Sequence, residues 1–187
     1  MKPEHLEKTI IIEEFDELPE TMQQVDKQIK DDAFSDLEDL SEEEKNQMTE
    51  KYKVNPWKYL FAKINSEYVD RVVLDKRNVR LGSRNVYGVG IGGLAVKSAY
   101  QKQGIGRMLM NKLVEVCKSN NVDFIFLNAG EELHRYYESF GFSLHEYRFK
   151  GISGKEYVED DGMVLVLNKN IQSDLTNNVL DIGVGNV

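Results

Sequence analysis

Between Gly88 and Gly106 the chain reads GVGIGGLAVKSAYQKQGIG, two glycine clusters joined by a short link. The element that each cluster leads into constrains the fold more than anything else in the sequence. Gly88-Val89-Gly90-Ile91-Gly92-Gly93 spells G-x-G-x-x-G. That dinucleotide pattern needs a strand before it and a helix opening at its last glycine. Here Leu94-Ala95-Val96 continues a strand, and a helix begun at Gly93 would run through the second cluster. The match reads as accidental, and an NAD(P)-binding reading falls with it. Glycines inside a strand point instead to a bulge or a close backbone approach, which frees N–H and C=O groups for an extended, amide-bearing ligand.

The second cluster, Gln101-Lys102-Gln103-Gly104-Ile105-Gly106, sits between that strand and an amphipathic helix. Ile105, Met108, Leu109, Leu113, Val116 and Cys117 share one helical stripe. Gly104 and Gly106 let backbone N–H groups turn inward, and the helix N-terminus adds its partial positive charge. Lys102 and Arg107 add whole charges. The pattern suits a pyrophosphate; a plain left-handed turn before a helix carries the same spelling.

The rest of the chain supplies the frame. Thr9 to Phe15 reads as a strand. Pro19 suits a first helical turn, with Met22, Val25 and Ile29 at helical spacing. Ser41 and Glu44 form a capping box that starts a second helix running toward Tyr52, and Asn55-Pro56 breaks it. Tyr59 to Ile64, Tyr68 to Arg80 and Asn85 to Val96 make an antiparallel meander, because their links are short. After the glycine-started helix, Phe124 to Leu127 is a fully apolar strand. Glu131 to Phe140 is a short helix ended by Gly141. Strands come next near Ser143 to Phe149 and Met163 to Leu167, and the tail from Asn168 is expected to be loosely held. The predicted order is β-α-α-β-β-β-α-β-α-β-β.

Composition excludes several classes. Glu13 to Glu50 holds fifteen Asp and Glu against three Lys, so a chain of net charge −8 keeps a slightly basic remainder. An acidic total disfavours nucleic-acid binding, which wants a basic face. It suits a cationic substrate beside an anionic cofactor; acidic solvent faces on helices are the ordinary alternative. No apolar run approaches the roughly 20 residues of a membrane span, and no secretory signal is seen at the N-terminus. The one cysteine, Cys117, excludes an intrachain disulfide and favours a reducing compartment. With His5, His134 and His145 scattered, no metal-ligand spacing appears. A cytoplasmic protein is expected.

Leu94-Ala95-Val96 followed by Gln101-x-x-Gly104-x-Gly106 resembles the acetyl-CoA signature of the GCN5-related N-acetyltransferases, Q/R-x-x-G-x-G/A. Tyr136-Tyr137-Glu138-Ser139-Phe140-Gly141-Phe142 is similar to that family's FYEKLGF segment. The resemblance covers roughly Thr9 to Leu167. It implies an α/β (α+β) fold, a mixed, mostly antiparallel sheet of about seven strands with helices on both faces. The sheet would splay after its fourth strand. It implies one domain over 1–167, in which 9–56 form acidic elements walling the acceptor site, and a polar tail over 168–187. A narrower likeness, the long hairpin ending in Val96 and the Glu159 to Leu167 segment, is to aminoglycoside 2′-N-acetyltransferases.

The same resemblance implies the chemistry. Acetyl-CoA would be the donor. Its pantetheine amides would pair with the backbone of Leu94, Ala95 and Val96, and its diphosphate would sit among Gln101, Lys102, Gln103, Gly104, Ile105, Gly106 and Arg107. Tyr137, four residues before Gly141, matches the family's general-acid tyrosine; a phenol with a pKa near 10 is protonated at neutral pH. No carboxylate lies between Asn85 and Val96, so no base comes from that strand. Relay to Glu131, Glu132 or His134, or an acid of the N-terminal segment, stays open. The three glycines at 88, 90 and 92 suggest room for a bulky amine or a longer acyl chain. The expected acceptor is a primary amine on a cationic small molecule or peptide, and a homodimer is compatible with the sequence. A non-catalytic acetyl-CoA-binding sensor or assembly module is the alternative.

Overall fold

The computed structural model describes residues 9–35, 40–185 and 187. His5 and three acidic residues of the 13–50 segment, Asp36, Glu38 and Asp39, lie outside the described residues.

Two helices come after β1 (Ile10–Phe15). In α1 (Glu20–Ala33), Met22 and Ile29 are buried on one face. Helix α2 (Glu42–Lys51) opens with the expected capping box: Ser41 Oγ accepts from the Glu44 amide, and the Glu44 carboxylate accepts from the Ser41 amide. The meander is built from β2 (Pro56–Ile64), β3 (Glu67–Leu81) and β4 (Arg84–Val96). Its turns put Asn65 and Gly82 at positive φ, where glycine and asparagine meet the least strain. Next come α3 (Ile105–Ser119), β5 (Phe124–Asn128) and α4 (Glu131–Glu138), which closes on Gly141 at φ +94°.

Strand β3 organises the sheet. Its first half pairs with β2, which carries β1 on its outer edge. Its far end pairs with β10 (Leu180–Val184) through Arg80 and Asp181, while β4 runs along its other side. Beyond β4 lie β5, β9 (Gly162–Val166) and β6 (Ser143–Leu144); beyond β10 lie β7 (Tyr147–Lys150) and β8 (Glu156–Glu159). Only the β4–β5 and β10–β7 pairs are parallel among the described strands. The parallel step from β4 to β5 needs a crossover, and α3 is that crossover.

The alternation of side chains along β4 separates two cores. Val89 and Ile91 face α3, against Ile105, Leu109 and Leu113. On the opposite face, Phe124, Phe126, Tyr147 and Phe149 pack with Leu175 of α5 (Gln172–Asn177) and with Leu180 and Ile182. Helix α1 covers Phe61 and Ala95 on that same side. Helices therefore lie on both faces, as the family pattern implies.

Three elements differ from the sequence expectation. The predicted strand at 143–149 is two, β6 and β7, broken at His145-Glu146. Strand β8 has no counterpart in the predicted order. The segment after Asn168 is not loose: it forms a 3-10 turn (Lys169–Ile171), α5 and β10, and it buries Ile171, Leu175, Leu180 and Ile182. Its many polar residues hid four apolar anchors, each spaced to one short element. Ten strands result among the described residues, rather than about seven.

One buried group sets a pH dependence. Asp70 of β3 is fully buried under the start of α3, and neither carboxylate oxygen makes a hydrogen bond of ordinary geometry among the described residues. Burial pushes its pKa up to about 8, opposed by the amide and charge of Arg71. The folded protein therefore holds a proton that the unfolded chain releases above about pH 4. Stability must fall as pH rises from there toward 8, because the native state binds the extra proton.

Leu180→Ala should cost roughly 2–5 kcal/mol in chemical denaturation, as for a buried leucine; a loose tail would give no change. Asp70→Asn should raise the melting temperature at pH 8 to 9 and leave it unchanged near pH 4. A difference independent of pH would refute the protonated buried carboxyl.

Candidate active site

A wedge opens where β4 leaves its parallel partner. Gly88, Val89 and Gly90 pair with Phe124, Ile125 and Phe126, and the pairing stops there. From Ile91 onward β4 keeps β3 but not β5. This is the splay expected from the family pattern. Three residues later the strand bulges. Val73 faces Gly92 and Arg71 faces Ala95, so β4 holds one extra residue across the step, at Gly93 and Leu94. Gly93 has φ +56°, and a Cβ there would lie 2.5 Å from Arg71 Nη1. Both facts demand glycine.

The far end of the wedge is the second glycine cluster. A 3-10 turn (Ser98–Tyr100) carries the chain off β4. Lys102 and Gly104 take positive φ (59° and 83°), and Gly104 is the N-cap of α3 with no side-chain cap. The first N–H groups of α3 are thus left for a ligand or solvent. The glutamines brace the turn: Gln101 Nε2 donates to the Val96 carbonyl at 3.1 Å and Gln103 Nε2 to that of Ala99 at 3.0 Å. Arg107 donates to Ser139 Oγ at 3.0 Å and lies over the Phe140 ring, which ties α3 to the end of α4. Tyr100 donates to Glu67, which also pairs with Lys97.

Helix α4 supplies the third wall. Tyr137 is buried, edge-on to Phe142 and Tyr136, and burial pushes its pKa up to about 12. Burial also raises Tyr136, whose hydroxyl would stand 3.3 Å from a Cβ on Gly106. Both phenols are proton donors at any physiological pH.

These walls enclose one cleft of about 480 Å³. Every residue expected in the site lines it except Gln103, whose amide is spent on the turn. Ile105 lines it while its side chain belongs to the core. The lining holds Lys102 and Arg107 and no carboxylate among the described residues. Open amides, two cations and no anion fit a pyrophosphate-bearing donor, and the unpaired edge of β4 fits an amide-bearing arm. The G-x-G-x-x-G match stays within β4, as anticipated.

The other face of β4 corrects one expectation. The glycines do not leave spare room. A Cβ on Gly88 would lie 2.5 Å from the Phe124 ring, and one on Gly90 would collide with Val187 and Phe126. A Cβ on Gly92 would lie 3.3 Å from Val54. Neighbouring side chains already occupy the volume the missing ones would take.

Sequence reasoning missed two charged residues of β3 here, Arg71 and Asp75. Arg71, 5% exposed, donates from Nη1 to the Gly93 carbonyl at 2.8 Å, and its Nε forms an ion pair with Asp26 of α1, also at 2.8 Å. Asp75, fully buried opposite Gly90, accepts from Arg77 and from the Asn55 amide. The signal lay in YVDRVVLD, where charges interrupt a run of β-branched residues. Nothing in the spelling says which face they take. His134 is half-buried, with Nε2 3.0 Å from the Ala129 carbonyl.

The described architecture has known counterparts. The YhbS N-acetyltransferase of Escherichia coli, in complex with CoA, matches over 94% of this chain and 90% of its own, at 18% identity and a TM-score of 0.61. A GNAT family acetyltransferase from Brucella melitensis in complex with acetyl-CoA covers 86% and 90%, at 15% identity and a TM-score of 0.58. The ribosomal-protein-S18-alanine N-acetyltransferase of Escherichia coli covers 86% and 95%, at 19% identity and a TM-score of 0.56. At these identities the likeness is one of fold. No curated protein matches the sequence. The model of the acetyltransferase (GNAT) family matches residues 23–142, which contain the splayed strand, the glycine cradle and Tyr137, and the chain belongs to that family.

Proposed function

We propose that the protein transfers an acetyl group from acetyl-CoA directly to a primary amine of a cationic acceptor while both are bound. The observation that carries this reading is the single cleft joining splayed strand, anion cradle and Tyr137. The pantetheine arm would run along the backbone of Leu94, Ala95 and Val96. The diphosphate would meet the N–H groups of Gln103 to Arg107, with Lys102 and Arg107 at its flanks. Backbone amides suit this work because they are fixed and need no reorganisation as charge develops.

In the reaction the neutral amine nitrogen attacks the thioester carbonyl carbon. The N–C bond forms, the C–S bond breaks, and the surplus proton on nitrogen leaves to water. The departing thiolate takes the proton of Tyr137. Its raised pKa means the phenol is protonated when the thiolate departs, and the tyrosinate left behind takes its proton back from water. No carboxylate lines the cleft among the described residues, so water serves as the path for the amine proton.

The acceptor reading rests on the acidic segment. Several of its carboxylates are tied up: Glu13 with Lys63, Glu14 and Asp16 with Lys58, Asp31 with Lys27. Glu17 and Glu20 stand exposed at the start of α1 outside these pairs, and the end of α1, at Ala33 and Phe34, lines the cleft. A cation would approach along that helix. The lack of a lining carboxylate favours one rival, a module that binds acetyl-CoA without turnover.

Release of free thiol with a broad panel of amines separates the two. The enzyme reading expects thiol release with at least one cationic amine, and binding without release by any amine supports the module. With the responsive amine, Tyr137→Phe should cut kcat at least about tenfold and leave acetyl-CoA affinity unchanged. Wild-type turnover by that variant removes Tyr137 from the reaction. KM for the amine should rise with ionic strength as the acidic helix is screened, and a flat KM refutes the cationic acceptor.

A further inference from the structure

The bulge in β4 is held from behind by a charged side chain that no expectation for the site included. Arg71 lies on β3, facing α1, and is almost wholly buried. Its Nε pairs with Asp26 Oδ1 and its Nη1 donates to the Gly93 carbonyl, each at 2.8 Å. Asp26 is also buried, and its second oxygen meets Lys30 one turn along α1 at 2.8 Å. The chain of contacts therefore runs from the helix through the sheet to one peptide group of the splayed strand.

That peptide group is the one the bulge sets free. Gly93 and Leu94 have no Cα partner on β3, and β5 has already parted from β4 at Gly90. With no ladder to orient it, the Gly93–Leu94 peptide would be free to rotate. A trans peptide carries its N–H opposite its C=O. Fixing the Gly93 carbonyl on Arg71 therefore fixes the Leu94 N–H on the other side, and Leu94 lines the cleft.

We propose that Arg71 is a positioning residue for acyl transfer: it pins the Gly93 carbonyl so that the Leu94 amide is aimed into the cleft as a donor to the thioester carbonyl oxygen. Asp26 holds Arg71 in turn. The guanidinium suits the role because its planar fork makes two directed bonds at once, which an ammonium does not. The geometry also accounts for Gly93, since a side chain there would strike Arg71 Nη1. The proposal rests on acetyl-CoA being the donor.

Removing Arg71 alone strands a buried Asp26, which is destabilising in its own right. The double variant Asp26→Leu/Arg71→Met replaces the whole pair with apolar side chains and leaves the Gly93 carbonyl without its donor. Asp26→Asn is the second variant: it keeps Arg71 and loosens it. The reading is the infrared carbonyl stretch of bound acetyl-CoA labelled with carbon-13 at the thioester carbonyl, which needs no acceptor amine. Wild type should shift the band to lower frequency relative to free acetyl-CoA. The double variant should bind CoA with unchanged affinity and lose most of the shift, and Asp26→Asn should lose part of it. With a responsive amine, kcat of the double variant should fall at least about tenfold, short of the loss from deleting an oxyanion donor outright. An unchanged band in either folded variant overturns the positioning role. Failure of wild type to bind acetyl-CoA at all overturns the donor assignment instead, and the proposal with it.

Discussion

The parting of β4 from β5 after Gly90 is the constraint on which the site depends. A sheet normally closes over its own backbone groups, because an unpaired N–H or C=O away from water is costly. Here the ladder stops after three residue pairs and a bulge comes three residues on, so a row of polar groups faces a cleft. Those groups need another partner, and an extended chain of amides supplies one. The neighbouring elements keep the gap from collapsing. Helix α3 pins one side through Ile105, Leu109 and Leu113, and α4 pins the other through its tyrosines.

The cradle depends on the same opening. An uncapped helix start is tolerated where solvent or a ligand reaches it, and Gly104 at φ +83° turns the chain there without a side chain in the way. The side chains of the cradle mostly hold the turn rather than reach into the cleft. Gln101 and Gln103 bond the carbonyls of Val96 and Ala99, and Arg107 leans on Ser139 and Phe140. That leaves the first backbone N–H groups of α3 uncapped by any side chain.

Much of this was legible in the sequence because it is local. Strand after Gly93 and helix after Gly106 separate the two glycine clusters by hydrophobic period alone, and the capping box at Ser41 and Glu44 is a fixed spacing. The hidden part depends on tertiary placement. Whether Arg71 faces solvent or α1 turns on strand register, and Asp26 reads as an ordinary acidic residue of an amphipathic helix until its partner is known. The last strand was missed for a related reason. Leu180 and Ile182 alternate over a segment too short and too polar to announce itself, yet β10 completes the sheet between β3 and β7. Non-local pairing of this kind leaves little trace in composition.

The glycines of β4 then take on two separate meanings. Gly93 answers to the bulge and to Arg71, whose Nη1 a side chain there would strike. Gly88 and Gly90 answer to packing, because the rings of Phe124 and Phe126 and the side chain of Val187 fill the space above them. A strand lined by such rings is closed on that face, where an open strand would have admitted a long acyl chain. The cleft lies instead on the side where β4 has left β5. None of Gly88, Gly90, Gly92, Val54 and Val187 lines that cleft, so the packing these glycines serve is separate from it.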